Sequence, residues 1–270
     1  MDYQARDIAV GPTTAHLWEG GQGFPLLLMH GVGPGTTAAA NFGRVRDRLA
    51  GRYRIYGTDI IGFGASGRKT APPYFDYALW FRQMQAVLDQ IPDGPVGLVG
   101  HSISATFALR LAARNRRVAK VLLSCPMGLP LLPNPHRERL WTFPRTREDL
   151  RRSLEVLFFD RALINDALLD SRMSVLAEPG YADYFEKVFA GDKQALLPPT
   201  ILGADELAAV RCPVTIIHGR NDLAFPIEES GEPLARALPQ ADLHALAGCG
   251  HGPAFERSEL FLAILFDFLG

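Results

Sequence analysis

The stretch Val96-Gly-Leu-Val-Gly100-His101-Ser102-Ile103-Ser104-Ala105 limits the folds open to this 270-residue chain more than any other. Its apolar run over 96–99 reads as a strand buried on both faces, and apolar residues recur at helical spacing over 103–114. Strand, sharp turn and helix thus follow one another within a few residues. Strand and helix approach closely at such a turn, so small residues must flank it; Gly100 meets this, and Ser104 stands at the second small position. A turn of this kind lifts a hydroxyl to the N-terminus of the following helix, which makes Ser102 a candidate nucleophile. The competing reading of Ser102 is a plain helix cap.

The rest of the chain repeats the alternation. Strands are expected over 25–29, 54–58, 118–124 and 213–218, and helices over 39–50, 77–90 and 258–269. That pattern belongs to an α/β protein whose mostly parallel central sheet is flanked by helices. Between about 127 and 206 the texture changes. Pro126, Pro130, Pro133, Pro135 and Pro144 favour loop, and amphipathic helices follow over 149–159, 165–177 and 181–190 without a strand. The expected organisation is a core of 1–126 and 207–270, with 127–206 inserted as a helical cap, or lid.

Bulk properties narrow the partners. With 47% hydrophobic and 21% charged residues and a net charge of -1, no strong field points to nucleic acid or an anionic membrane. Arg116, Arg117 and the Arg-rich stretch 137–152 read as solvated helix faces. Cys125, Cys212 and Cys249 are odd in number and form no CxxC pair, which fits a reducing compartment. Residues 1–20 carry Asp2, Arg6, Asp7 and Glu19 and no apolar signal core, and no apolar run reaches the length of a membrane span. A cytoplasmic protein acting on a small molecule is expected, with no nucleic-acid or membrane partner. Its oligomeric state is open, a homodimer or higher homo-oligomer included.

A serine hydroxyl attacks poorly until a base takes its proton and a carboxylate orients that base. Asp222, in His218-Gly-Arg-Asn-Asp222, follows a buried strand, and His251, in the Gly-rich loop Gly248-Cys-Gly-His251-Gly252, precedes the last helix. Taken singly they read as a turn former and a loop histidine; in the order Ser, acid, His they form a candidate catalytic triad. The loop His30-Gly31-Val32-Gly33-Pro34-Gly35 follows the 25–29 strand, and the amides of Val32 and Ile103 are the candidate oxyanion-hole donors. This loop lacks the spacing of a phosphate loop. The Gly-rich stretch from Asp59 to Gly67 is expected to be a structural turn without chemistry. His16, His136 and His244 have no ligand-spaced partners and read as surface or strand positions, His218 reads as a packed histidine, and no metal site is expected.

These motifs resemble the α/β-hydrolase superfamily over essentially the whole chain. His-Gly-Val-Gly-Pro-Gly followed by Ala40-Asn41-Phe42 is similar to the meta-cleavage product hydrolases, which split a carbon–carbon bond in vinylogous 1,5-diketones made by ring-cleaving dioxygenases. The resemblance implies that Asn41 and Arg172 hold the oxo-carboxylate end of a 2-hydroxy-6-oxo-dienoate, that Gly33 and His101 line the substrate site, and that no cofactor takes part. Two positions depart from the family: His101 stands where Asn is usual before the nucleophile, and Gly252 where Trp is usual after the histidine. A Gly-His-Ser turn also resembles general esterases, so a carboxylesterase or lactonase with the same triad is the alternative. A non-catalytic receptor of the same fold is a further rival, opposed by the intact Ser-Asp-His set. Attack by Ser102 itself and attack by an activated water are both open.

Overall fold

A computed structural model describes residues 2–270. Eight strands form one sheet in the order β1-β2-β4-β3-β5-β6-β7-β8: β1 (Gln4–Val10), β2 (Thr13–Gly20), β3 (Pro25–Met29), β4 (Arg54–Thr58), β5 (Val96–His101), β6 (Val118–Ser124), β7 (Val214–Gly219) and β8 (Ala241–Leu246). β2 runs antiparallel to both β1 and β4, and every pairing from β4 through β3 to β8 is parallel.

Successive side chains of a strand point to opposite faces, and here that rule divides the interior into two clusters. Leu27 and Met29, Val96 and Leu98, and Val121 and Leu123 enter one cluster. Leu26 and Leu28, Val99 and Leu122 enter the other. Helices Tyr77–Asp89 and Ser104–Arg114 cover the first face. Short helices Ala38–Phe42 and Arg46–Ala50, with Ser258–Leu269, cover the second. The chain therefore leaves β3 towards one face and β5 towards the other. A crevice opens at the carboxyl ends where such neighbours diverge, and ligands of open α/β sheets gather there.

The strands expected from continuous apolar runs are present. β1, β2 and β8 lie outside those runs. β1 and β8 lie at the sheet edges and most of their residues are exposed or half-buried, so neither carries the apolar run of a two-sided strand. The helix expected over 39–50 is two short helices separated by Gly43. Residues 125–213 contribute no strand among the described residues and hold helices Pro135–Leu140, Arg147–Leu157, Asp166–Leu176, Tyr181–Val188 and Ala204–Ala208. The first of these corrects the expectation of loop through the proline-rich stretch. Pro135 occupies the first turn, where its missing N–H costs nothing, and Asn134 Oδ1 accepts from the His136 and Arg137 amides. Arg137 is a second correction: it is buried, not solvated, and donates to the carbonyls of Ala224 and Leu132. The turn from Asp59 to Gly67 folds around a carboxylate, with Asp59 accepting from the Ala38 and Ala65 amides.

Candidate active site

Ser102 sits at the carboxyl end of β5 with φ of +57°, a left-handed conformation that costs a non-glycine residue about 1–3 kcal/mol. Neighbouring segments hold it there. Its N–H donates to the Ser124 carbonyl at 2.9 Å, and its own carbonyl accepts from the Ala105 and Met127 amides, each at 3.1 Å. Gly100 is required by the close approach of strand and helix, because an added Cβ would stand 2.7 Å from the Ser104 carbonyl oxygen. Ser104 keeps its small side chain occupied by donating to the His30 carbonyl at 2.5 Å. Gly100→Ala should therefore destabilise the fold by about 1–3 kcal/mol through overpacking; an unchanged denaturant midpoint would show that the elbow yields.

Gly31 has the same kind of constraint on the other side of the crevice. A Cβ there would lie 2.9 Å from Ser102 Cβ and 3.4 Å from its Oγ, so the loop after β3 passes directly over the hydroxyl. Val32 and Gly33 line the cavity with Ser102. The Val32 and Ile103 amides are absent from the backbone hydrogen bonds of the described loops and turns, which leaves both N–H groups uncommitted. The Ile103 side chain is buried away from the cavity.

Asp222 follows β7 and His251 follows β8, and the two loops touch: a Cβ on Gly219 would stand 1.9 Å from the Gly250 carbonyl oxygen. His251 Nδ1 lies 2.6 Å from Asp222 Oδ2. The other carboxylate oxygen accepts from the Ala224 and Phe225 amides at 3.1 and 2.9 Å. His218, read from the sequence as a packed histidine, is indeed buried, and its Nε2 also stands 3.5 Å from Asp222 Oδ2 while donating to the Phe225 carbonyl. Burial alone would raise the Asp222 pKa, but the charge of His251 and the contacts with both histidines hold it well below the usual carboxylate range. The His251 ring is sandwiched at 4.7 Å between Phe225, in a stacked arrangement, and His101. No hydrogen bond joins Ser102 Oγ to that ring in this geometry; such contacts commonly tighten only when substrate is in place.

His101 donates Nδ1–H to the Ser124 carbonyl at 3.1 Å. Burial first, and then the neighbouring His251, push its pKa well down, so it stays neutral while lining the cavity. The Asn41 carbonyl oxygen accepts from the Gly31 amide at 3.4 Å, which leaves its NH2 group for the cavity it lines. Arg172 lies on the buried face of its helix with Leu169 and Leu176. Its Nη1 donates to the Pro34 carbonyl and Thr36 Oγ1 at 3.2 and 3.0 Å. Gly35, with φ of +64°, packs on it so closely that a Cβ would lie 3.0 Å from the Arg172 carbonyl oxygen. The Gly-Pro-Gly loop is thus a cradle for one guanidinium. That group forms no ion pair with a carboxylate among the described residues, its Nε has no partner, and burial draws its pKa down to about 10.

One cavity therefore gathers Val32, Gly33, Asn41, His101, Ser102, Arg172 and His251, with Asp222 behind His251. It also exposes Trp141, Phe158, Phe225 and Phe255, which apolar periodicity alone presents as ordinary core residues. Cys125, Asp222 and His251 place potential ligand atoms within 4.8 Å of one another, a grouping that sequence spacing does not reveal. Metal binding needs a thiolate, whereas burial pushes the Cys125 thiol up, and His251 Nδ1 and Asp222 already bond to each other.

A strained serine elbow, an acid and a histidine at the carboxyl edge of such a sheet define a class. Residues 26–264 match the alpha/beta hydrolase family, and the chain belongs to it. Within that family the chain is 31% identical over 265 residues to a 2-hydroxymuconate semialdehyde hydrolase of Pseudomonas sp. (strain CF600), covering 98% of this chain and 93% of the relative. It is 28% identical to a 2-hydroxy-6-oxo-2,4-heptadienoate hydrolase of Pseudomonas putida, covering 98% and 95%. A meta-cleavage product hydrolase from Pseudomonas fluorescens IP01 superposes with a TM-score of 0.92 at 25% identity, covering 98% and 97% of the two chains. The protein is a hydrolase, and no helix among its described residues is long and apolar enough to cross a membrane.

Proposed function

We propose that this enzyme hydrolyses a carbon–carbon bond in a 2-hydroxy-6-oxo-dienoate or a related vinylogous diketone, as its relatives' names describe for them. The observation that carries this reading is Arg172. A buried guanidinium without a carboxylate, opening on the cavity that holds Ser102, is costly unless an anion completes it. An oxo-carboxylate supplies that anion, and Arg presents a fork matched to it. The Asn41 NH2 group supplies a further donor. Leu140, Trp141, Leu157, Phe158 and Arg172 reach the cavity from the segment between β6 and β7, which supports reading 127–206 as a cap over a core of 1–126 and 207–270. The free cysteines support a cytoplasmic location.

The chemistry then follows from the positions. His251, held by Asp222 through Nδ1, has Nε2 free to move protons. It assists ketonisation of the dienol, which creates an electron sink conjugated with the scissile bond. It next takes the proton of Ser102, or of a water, as that oxygen attacks the remote ketone. The Val32 and Ile103 amides receive the developing oxyanion. Collapse breaks the carbon–carbon bond, and the departing dienolate takes the proton from His251 and leaves as a small enoic acid. On the water route the other product is the carboxylic acid at once; on the Ser102 route it is an acyl ester of Ser102, which a second water activated by His251 hydrolyses to the acid and free Ser102. Either way one water is consumed, with no change of oxidation state and so no redox cofactor.

Purified protein should consume a 2-hydroxy-6-oxo-dienoate, followed as loss of its conjugated absorbance, with a kcat/KM well above that for a p-nitrophenyl ester. Turnover of the ester alone would replace this reading with a carboxylesterase.

A further inference from the structure

Glu256, on the short helix Pro253–Glu256, has no part in the chemistry above, yet its carboxylate bridges two chain segments. Oε1 accepts from the Gly250 and Gly252 amides at 2.8 and 3.4 Å, on either side of His251. Oε2 accepts from the Phe159 and Asp160 amides at 2.7 and 3.3 Å, where the cap leaves helix Arg147–Leu157. The His251 amide itself donates to the Leu157 carbonyl at 2.6 Å. Contact between these segments is close enough that a Cβ on Gly250 would stand 2.4 Å from the Leu157 carbonyl oxygen, and one on Gly252 2.8 Å from the Phe158 ring. Phe158 lines the cavity and stacks on Phe255 at 5.1 Å.

We propose that Glu256 is a positioning residue that joins the cap to the histidine loop, so that His251 is set for catalysis only when the cap is seated. This rests on the triad reading and is independent of the substrate assigned above.

The physical argument is the division of labour between the two oxygens. Glu256 has no cation partner among the described residues, so four backbone amides carry its charge. Burial acts against the ionised form, and the four donors oppose it. If the cap segment lifts, Oε2 exchanges both amide donors for water, and the half-buried carboxylate gives up two of its four charge-assisted hydrogen bonds. Cap and histidine loop therefore hold or release together. Because Phe158 rests on Gly252, the cavity wall moves with the general base. Closure of the cap and alignment of His251 become one event, and the base is misaligned while the cavity stands open to water.

Glu256→Gln tests this, since an amide offers one acceptor oxygen and can serve one segment only. We expect kcat on a p-nitrophenyl ester, or on whatever substrate the wild type turns over, to fall about 10- to 100-fold with KM nearly unchanged, the size of effect seen when the hydrogen bonds that orient metal-binding histidines are removed. The rate at which a fluorophosphonate labels Ser102 should fall in parallel. A lowered melting temperature with wild-type kcat and labelling rate per folded molecule would make Glu256 a stability staple and overturn the proposal. Should the variant not fold, amide exchange of the wild type decides. Phe159–Asp160 and Gly250–Gly252 should share one protection level and gain protection together in the fluorophosphonate adduct, and independent exchange overturns the coupling. Failure of wild-type Ser102 to react with fluorophosphonate would instead overturn the triad reading.

Discussion

Ser102→Ala and His251→Ala should each lower kcat on the order of 10⁴-fold or more while the protein stays folded, because in the proposed mechanism nucleophile and base act as a unit. The residual rate would come from the oxyanion-hole amides and from binding. Asp222→Asn should be milder than His251→Ala, since the carboxylate orients the ring through one 2.6 Å contact and does not itself transfer the proton. It should still be severe, because both Asp222 oxygens are committed, one to His251 and one to the Ala224 and Phe225 amides. Circular dichroism and a melting curve on each variant separate lost chemistry from lost fold. Near-wild-type turnover in folded Ser102→Ala would remove Ser102 from the mechanism. A loss far smaller than that of His251→Ala would assign the attack to a water activated by His251.

Arg172→Ala should lower kcat/KM for a 2-hydroxy-6-oxo-dienoate by roughly 30-fold or more. Removing one partner of a desolvated charge pair costs on the order of 2–5 kcal/mol, at about 1.4 kcal/mol per decade of rate. Hydrolysis of a neutral ester should barely change, because that substrate brings no carboxylate to the cradle of Pro34, Gly35 and Thr36. Both substrates must be measured on the same folded variant. Equal losses on both would make Arg172 a support of the cap. That outcome has a physical basis, since Nη1 already ties helix Asp166–Leu176 to the loop after β3.

Much of this was legible in the chain, and for a definite reason. Central parallel strands are buried on both faces, so β3, β5, β6 and β7 appear as continuous apolar runs, and the candidate site residues were sought in the loops at their carboxyl ends. Residues demanded by backbone geometry are also written openly: Gly100 because strand and helix nearly touch, Gly31 because the loop crosses Ser102. Edge strands β1 and β8 were not legible, since half-exposed strands need no apolar run. Nor was Arg137, whose buried guanidinium is held by carbonyls that only the folded chain brings to it.

Sequence alone determined the order of Ser102, Asp222 and His251 and the strand–turn–helix setting of Ser102, because local backbone requirements and the sheet's burial pattern are encoded residue by residue. Tertiary structure decided the rest. It turned Arg172 inward rather than to solvent, since a helix with polar residues on several sides does not by itself say which side meets the core. It placed His218 beside Asp222 and brought the Phe158 ring over Gly252, where this chain lacks a side chain. It also brought Glu256 between residues 159–160 and 250–252, some ninety positions apart in the chain, a juxtaposition that only packing creates.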